Sequence, residues 1–118
     1  MIDKKEIVKQ YKQTVQPMGI FQIWNLANGK IYLASSKNLR GMANRFEFGL
    51  DIGSHISKEL REDYLKFGKE NFVFEVIDTL EPKEDPKYDY TDDLNVLEEM
   101  WLEKLQPYGD KGYNQKKD

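Results

Sequence analysis

Residues 19–39 read GIFQIWNLANGKIYLASSKNL. Two short runs rich in β-branched and aromatic side chains, residues 20–25 and 30–34, flank Leu-Ala-Asn-Gly. Asn28-Gly29 tolerates the positive φ angles that a tight turn requires, so the stretch reads as a β-hairpin. Any connection with an even number of residues pairs odd positions of the first strand with even positions of the second. Phe21, Ile23, Tyr32 and Ala34 therefore share a face. A loop over residues 26–29 sets Ile23 opposite Tyr32 and Phe21 opposite Ala34, and the two rings converge.

Working outward, Asp3 with Glu6 three residues later forms a capping box, and Ile7, Val8, Tyr11 and Val15 follow at helical spacing. This predicts a helix to about Val15, a helical extension over residues 1–17 ahead of a domain over residues 18–118. After the hairpin, Leu39, Met42, Ala43, Phe46 and Leu50 recur at helical spacing from a Ser36 N-cap, predicting a helix that ends near Gly53 and is weakened by Gly41 and Gly49. A second helix is predicted over residues 57–67, with Leu60, Tyr64 and Leu65 inward and Gly68 as its stop. NFVFEVIDTL, from Asn71, alternates as a third strand, apolar enough to be central. EPKEDPKYDYTDD is then an exposed acidic loop before a last helix, capped by Asp92 or Asp93 and running to about Leu105. The expectation is an α+β fold: a small three-stranded antiparallel sheet flanked by helices, with the extra N-terminal helix.

At 118 residues, 39% hydrophobic and 33% charged, the chain suits one globular domain. No apolar run approaches the roughly 20 residues that span a bilayer, so no membrane is expected as a partner. MIDKKEIVKQYKQ lacks the apolar stretch of a signal peptide, which makes the cytoplasm the expected compartment. The absence of cysteine excludes disulfides, thiol nucleophiles and Cys-based zinc sites. A net charge of −3 argues at first against nucleic acid. The acid is segregated, however: residues 75–103 hold 11 acidic and 2 basic side chains, a net −9, so the rest of the chain carries +6. A solvated acidic face accounts for the segment, and a basic face elsewhere remains open.

The order of these pieces resembles the GIY-YIG nuclease superfamily from Met18 to Asn114. GIF stands where that family has GIY, and YLA where it has YIG. The NGK turn, SSKNL, GSH, KFGKENFVFEVI, LEEMWLEKLQP and GYN support the resemblance in order and spacing. It implies metal-assisted hydrolysis of a phosphodiester: tyrosine hydroxyls position or deprotonate the attacking water, a helical arginine stabilises the developing charge, and a glutamate holds one divalent ion. Mg²⁺ or Mn²⁺ is then the implied cofactor if the chain is active, with none otherwise, and DNA is the implied partner. One or two carboxylates suffice for such an ion, because water and substrate phosphate fill its other positions.

Matched residue by residue, Tyr32 takes the place of the YIG tyrosine, Glu98 of the metal-binding glutamate, His55 of a histidine in the GxH segment, and Asn114 of the asparagine in GYN. Phe21 lacks the hydroxyl of the GIY tyrosine, and Ala34 replaces a glycine. The family's helical arginine falls on Met42 and a histidine one turn later falls on Phe46, both apolar. Removing one preorganised donor to developing charge typically costs about 3 to 4 kcal/mol. Arg40 and Arg45 lie on the same helix, and Arg45 is the candidate to replace the missing arginine, against a plain solvated role. Each matched residue also has a structural reading: Phe21 as core, His55 as a cap, Asn114 as a hydrogen-bonding residue. Glu98 lies in a stripe with Leu94, Trp101 and Leu105, where a carboxylate is costly unless metal-bound or paired, for example with Tyr32; Glu99 points away.

Two functions follow. The first is a GIY-YIG-type domain related to metal-dependent DNA endonucleases, with weakened or lost activity. The second is a non-catalytic module for a nucleic acid or a protein, the latter through the acidic loop of residues 81–93. Reverting Phe21→Tyr, Met42→Arg and Phe46→His is expected to be tolerated by the fold. The sequence sets no oligomeric state.

Overall fold

The computed structural model describes residues 17–48 and 57–115. They form strands β1 (Gly19–Asn25) and β2 (Ile31–Ser36), helices α1 (Leu39–Glu47) and α2 (Lys58–Phe67), strand β3 (Phe72–Thr79) and helix α3 (Thr91–Leu105). Single 3₁₀ turns occupy Lys69–Asn71 and Gly109–Lys111. The expected N-terminal helix, Leu50, Gly53 and His55 lie outside the described residues.

The hairpin has the expected register, Phe21 against Ala34 and Ile23 against Tyr32. Its loop closes when the Asn25 N–H donates to the Lys30 carbonyl at 2.9 Å and the Gly29 N–H to the Asn25 carbonyl at 2.7 Å. Of Asn28 and Gly29 only the glycine takes positive φ, at 81°. Asn28 contributes its side chain instead, accepting from the Lys30 N–H.

The strand order is β2-β1-β3, antiparallel throughout. The third strand is thus an edge strand, and β1, not β3, is central. The burial explains why: Ile20, Phe21, Ile23 and Asn25 of β1 are all 2% exposed or less, so residues from both faces of this strand are excluded from water. In β3 the aromatic pair Phe72 and Phe74 serves one face only, while Val76 is exposed. A bulge sets Ile20 against Asp78 but Phe21 against Val76.

On the face of Phe21 and Ile23, α1 contributes Leu39 and Phe46 and α2 contributes Leu60, with Tyr32, Ala34, Met42 and Tyr64 packed around them. Phe67, not the expected Leu65, completes the inner stripe of α2, and Leu65 is 84% exposed. At 100° per residue, Leu60, Tyr64 and Phe67 lie within one narrow arc and Leu65 falls outside it. α3 covers the opposite face. Asp78, cross-strand from Ile20, accepts a 2.9 Å hydrogen bond from Trp101 Nε1, and Met18 packs with Tyr90 and Leu94.

The helix ends follow local chemistry, with two corrections. Asn38 rather than Ser36 caps α1, its Oδ1 accepting from the Gly41 N–H at 2.9 Å, while Ser36 Oγ accepts from the Asn38 N–H and shapes the turn before it. Asp92 and Asp93 sit inside the first turn of α3, where the helix dipole favours carboxylates, and Asp89 instead binds the Thr91 N–H and hydroxyl. Ser57 and Gly68 bound α2 as expected.

At Gly19 the backbone of β1 leaves no room for a side chain against β3: a Cβ there would stand 2.0 Å from the Asp78 carbonyl oxygen. Gly19→Ala should therefore lower stability by about 1–3 kcal/mol, read as a lower urea midpoint at unchanged m-value.

Candidate functional site

The outer edge of β2 is closed by the C-terminal segment. Pro107 follows α3, and the chain turns back so that Gly112 bridges Ile31 and the Tyr113 N–H donates to the Ile31 carbonyl at 2.9 Å. A Cβ at Gly112 would lie 2.3 Å from the Pro107 carbonyl oxygen, so this approach requires glycine. Asn114 then uses its side chain as a strand would use its backbone. Its Oδ1 accepts from the Leu33 N–H at 2.9 Å, and its Nδ2 donates to the Leu33 carbonyl at 2.8 Å. Half of the amide's hydrogen-bonding capacity is committed to holding β2 beside Tyr32.

A second polar group, missed from sequence, locks this arrangement. The Tyr113 hydroxyl donates to Asp63 Oδ2 at 2.7 Å and accepts from Nδ2 of the fully buried Asn25 at 2.9 Å. Asn28 also donates to Asp63, at 3.2 Å, and Lys30 pairs with Glu59. The NGK turn, α2 and the GYN segment are thus tied together by residues far apart in sequence. Asn25 carried the one available signal, a carboxamide at a core-facing position of a strand. Burial, reinforced by the Asp63 hydrogen bond and opposed by the amide donors of Asn25 and Asn28, pushes the Tyr113 hydroxyl up to about 12.

Tyr32 is half-buried, and its hydroxyl is pushed above the ordinary tyrosine value first by burial and then by the negative charge of Glu98. It keeps its proton at neutral pH and is a hydrogen-bond donor there. Glu98, also half-buried on α3, lines a shallow cleft of about 360 Å³ together with Glu99, Leu102, Glu103 and Asn114. Tyr32, Glu98 and Asn114 are therefore brought into one corner: the first two are coupled by charge, the last two share a cleft, and Asn114 grips the residue next to Tyr32. Glu99 is exposed, yet it borders the same cleft. Among the described residues no group of three or more acidic or histidine side chains could cage a metal ion. The donors fit a hydrated ion held by one carboxylate better than an all-protein site.

The substituted positions belong to the core. Phe21 stacks on Phe74 with centroids 5.0 Å apart and planes 20° from parallel, and buried Phe46 meets the same ring at 5.9 Å. Met42 and Ala34 are half-buried against this cluster. Arg40 and Arg45 are exposed, with Arg45 in the last turn of α1, where a cation complements the helix dipole. The acidic loop is tied beside the start of α1: Lys37 donates to Thr91 Oγ1 at 2.9 Å and stands 3.7 Å from Asp89. That ion pair is exposed and contributes little.

Three antiparallel strands in the order β2-β1-β3, with helices on both faces, define an α+β fold of the GIY-YIG type. Solved structures with this arrangement include the catalytic domain of the homing endonuclease I-TevI, at a TM-score of 0.64 and 26% sequence identity, covering 85% of this chain and 99% of that one. A glutamate-to-alanine mutant of the catalytic domain of the intron endonuclease I-TevI matches at a TM-score of 0.63 and 25% identity, covering 84% and 93%. The chain thus resembles a nuclease catalytic domain over most of its length. No protein-family model and no curated protein matches the sequence. Among the described residues no helix is long and apolar enough to cross a membrane.

The burial of Phe46 revises the expectation that all three reversions are tolerated. Phe46→His should cost about 3 kcal/mol by emptying the aromatic stack and burying a polar ring, whereas Met42→Arg, able to extend its head to water, should cost less than about 1.5 kcal/mol. Thermal and urea unfolding of the two variants will rank them. For Tyr113, the native state binds the phenolic proton more tightly than the unfolded chain. Its contribution is therefore complete below pH 10 and lost as pH rises to about 12. Tyr113→Phe, which strands Asn25 and Asp63, should destabilise by about 1–3 kcal/mol at pH 7. The gap from the parent chain should narrow between pH 10 and 12, as read by urea midpoints across that range.

Proposed function

We propose that the chain is a DNA-acting module of the nuclease type in which Tyr32, Glu98 and Asn114 form the remaining reactive corner and phosphodiester hydrolysis is weakened or lost. The observation that carries the reading is the packing of Phe21, stacked, and Phe46, tilted, on Phe74. Where the resemblance leads one to expect a hydroxyl and an imidazole facing substrate, this chain has core aromatics. Each lost donor to developing charge removes on the order of 10²–10³ in rate, and effects within one site do not add simply.

In this reading Glu98 holds Mg²⁺ or Mn²⁺, which when bound supplies charge neutralisation at the phosphate and a more acidic water. Tyr32, protonated at neutral pH, donates a hydrogen bond to the attacking water or to a phosphate oxygen rather than removing a proton. Asn114 keeps β2 and hence Tyr32 in place through Leu33. Arg45, exposed on α1, supplies the cation that Met42 cannot, and His55 supplies a further polar contact.

The same aromatic stack favours a second reading, a non-catalytic module that keeps the fold and binds nucleic acid or a protein. Nicking of supercoiled plasmid with Mg²⁺ or Mn²⁺ decides between them. We expect slow, metal-dependent nicking that Glu98→Ala abolishes. Equal nicking by the parent chain and Glu98→Ala would sink the assignment of Glu98. No nicking, with DNA binding that falls steeply with salt, would establish the binding module.

A further inference from the structure

Beside Met18, on the side of α3 away from the Glu98 cleft, lies an open groove of about 340 Å³ lined on its apolar side by Leu80, Tyr90, Val96, Leu97 and Met100. Val96 is 67% and Met100 48% exposed, one helical turn apart on α3. A valine and a methionine at this spacing, facing a loop, make an adaptable surface of the kind that receives the apolar stripe of a helix. Glu81, Lys83 and Asp93 border it, two acids to one base, within the segment of net charge −9.

The chain itself contains a segment with the complementary chemistry. Residues 1–16, outside the described residues, carry Ile7, Val8, Tyr11 and Val15 at helical spacing among Lys4, Lys5, Lys9 and Lys12, with only two acidic side chains. Position matches chemistry. The described chain begins at Pro17, and Met18 packs against Leu80 and Tyr90, two residues that also line the groove, while the Leu80 N–H donates to the Met18 carbonyl at 2.9 Å. The segment is thus tethered at the groove's own wall, where short covalent linkage gives a millimolar-scale effective concentration.

We propose that this groove is the docking surface for residues 1–16 of the same chain, apolar side chains against Val96 and Met100 and lysines against Glu81 and Asp93. The acidic segment then serves an intramolecular contact, on a different surface from the reactive corner and independent of whether that corner is active.

The chain has no cysteine, so paired cysteines report the contact cleanly in the full-length protein. Met100→Cys is combined in turn with Val8→Cys, Tyr11→Cys and Val15→Cys, and the same three are combined with Leu65→Cys on α2 as the control. In a glutathione redox buffer, at least one Met100 pair should form an intramolecular disulfide at tenfold or more the effective concentration of every Leu65 pair, and 0.5 M NaCl should reduce that excess. Val96→Cys replaces Met100→Cys if circular dichroism shows the latter unfolded. Equal disulfide formation with Leu65 and with the groove positions overturns the proposal. Preferential intermolecular disulfides also overturn it, in favour of a second copy as the occupant.

Discussion

The constraint on which this structure depends is that β1 has no free side. Its two edges are hydrogen-bonded to β2 and β3, and apolar residues from both its faces are buried. A seven-residue strand so enclosed needs a layer of helix on each face. α1 and α2 cover the side of Phe21 and Ile23, and α3 covers the side of Ile20. The close approach at Gly19, the bulge after Ile20 and the buried carboxamide of Asn25 are local consequences of threading one strand through the centre of so small a domain.

That same enclosure accounts for the apolar cluster on one face of the sheet. Phe21 lies on the central strand and Phe46 on α1, and both meet the ring of Phe74, with Met42 packed against the same cluster. Burying aromatic surface there stabilises the fold in a way that an exposed arginine and histidine would not. Glu98 and Asn114 sit at the margin, on α3 and on the segment closing β2, where a polar side chain keeps access to water or to backbone.

Most of the fold was legible because local signals agreed with one another. The NGK turn fixed the hairpin register, Ser57 and Gly68 marked both ends of α2, and Pro107 ended α3. What failed did so where tertiary contacts decide. Phe72 and Phe74 look like a central strand, but the hairpin's first strand takes that place because β3 returns to pair with it. Leu65 is as hydrophobic as Leu60, but the arc shared by Leu60, Tyr64 and Phe67 faces the sheet and leaves it in solvent. Of the site, the shared face of Phe21, Ile23, Tyr32 and Ala34 could be read from loop parity alone, and their pairing from a loop over residues 26–29. The network of Asn25, Asp63 and Tyr113 could not, since it joins residues up to 88 positions apart through side-chain atoms that no periodicity records.

The carboxamide of Asn114 has a consequence for the sheet as a whole. Because it occupies both the donor and the acceptor of Leu33, and Gly112 and Tyr113 meet Ile31, a foreign strand finds much of the β2 edge already filled. Among the described residues no strand lies beyond β3, the other edge of the sheet. Edge-to-edge growth into larger sheets is discouraged at the β2 margin by a single side chain imitating backbone.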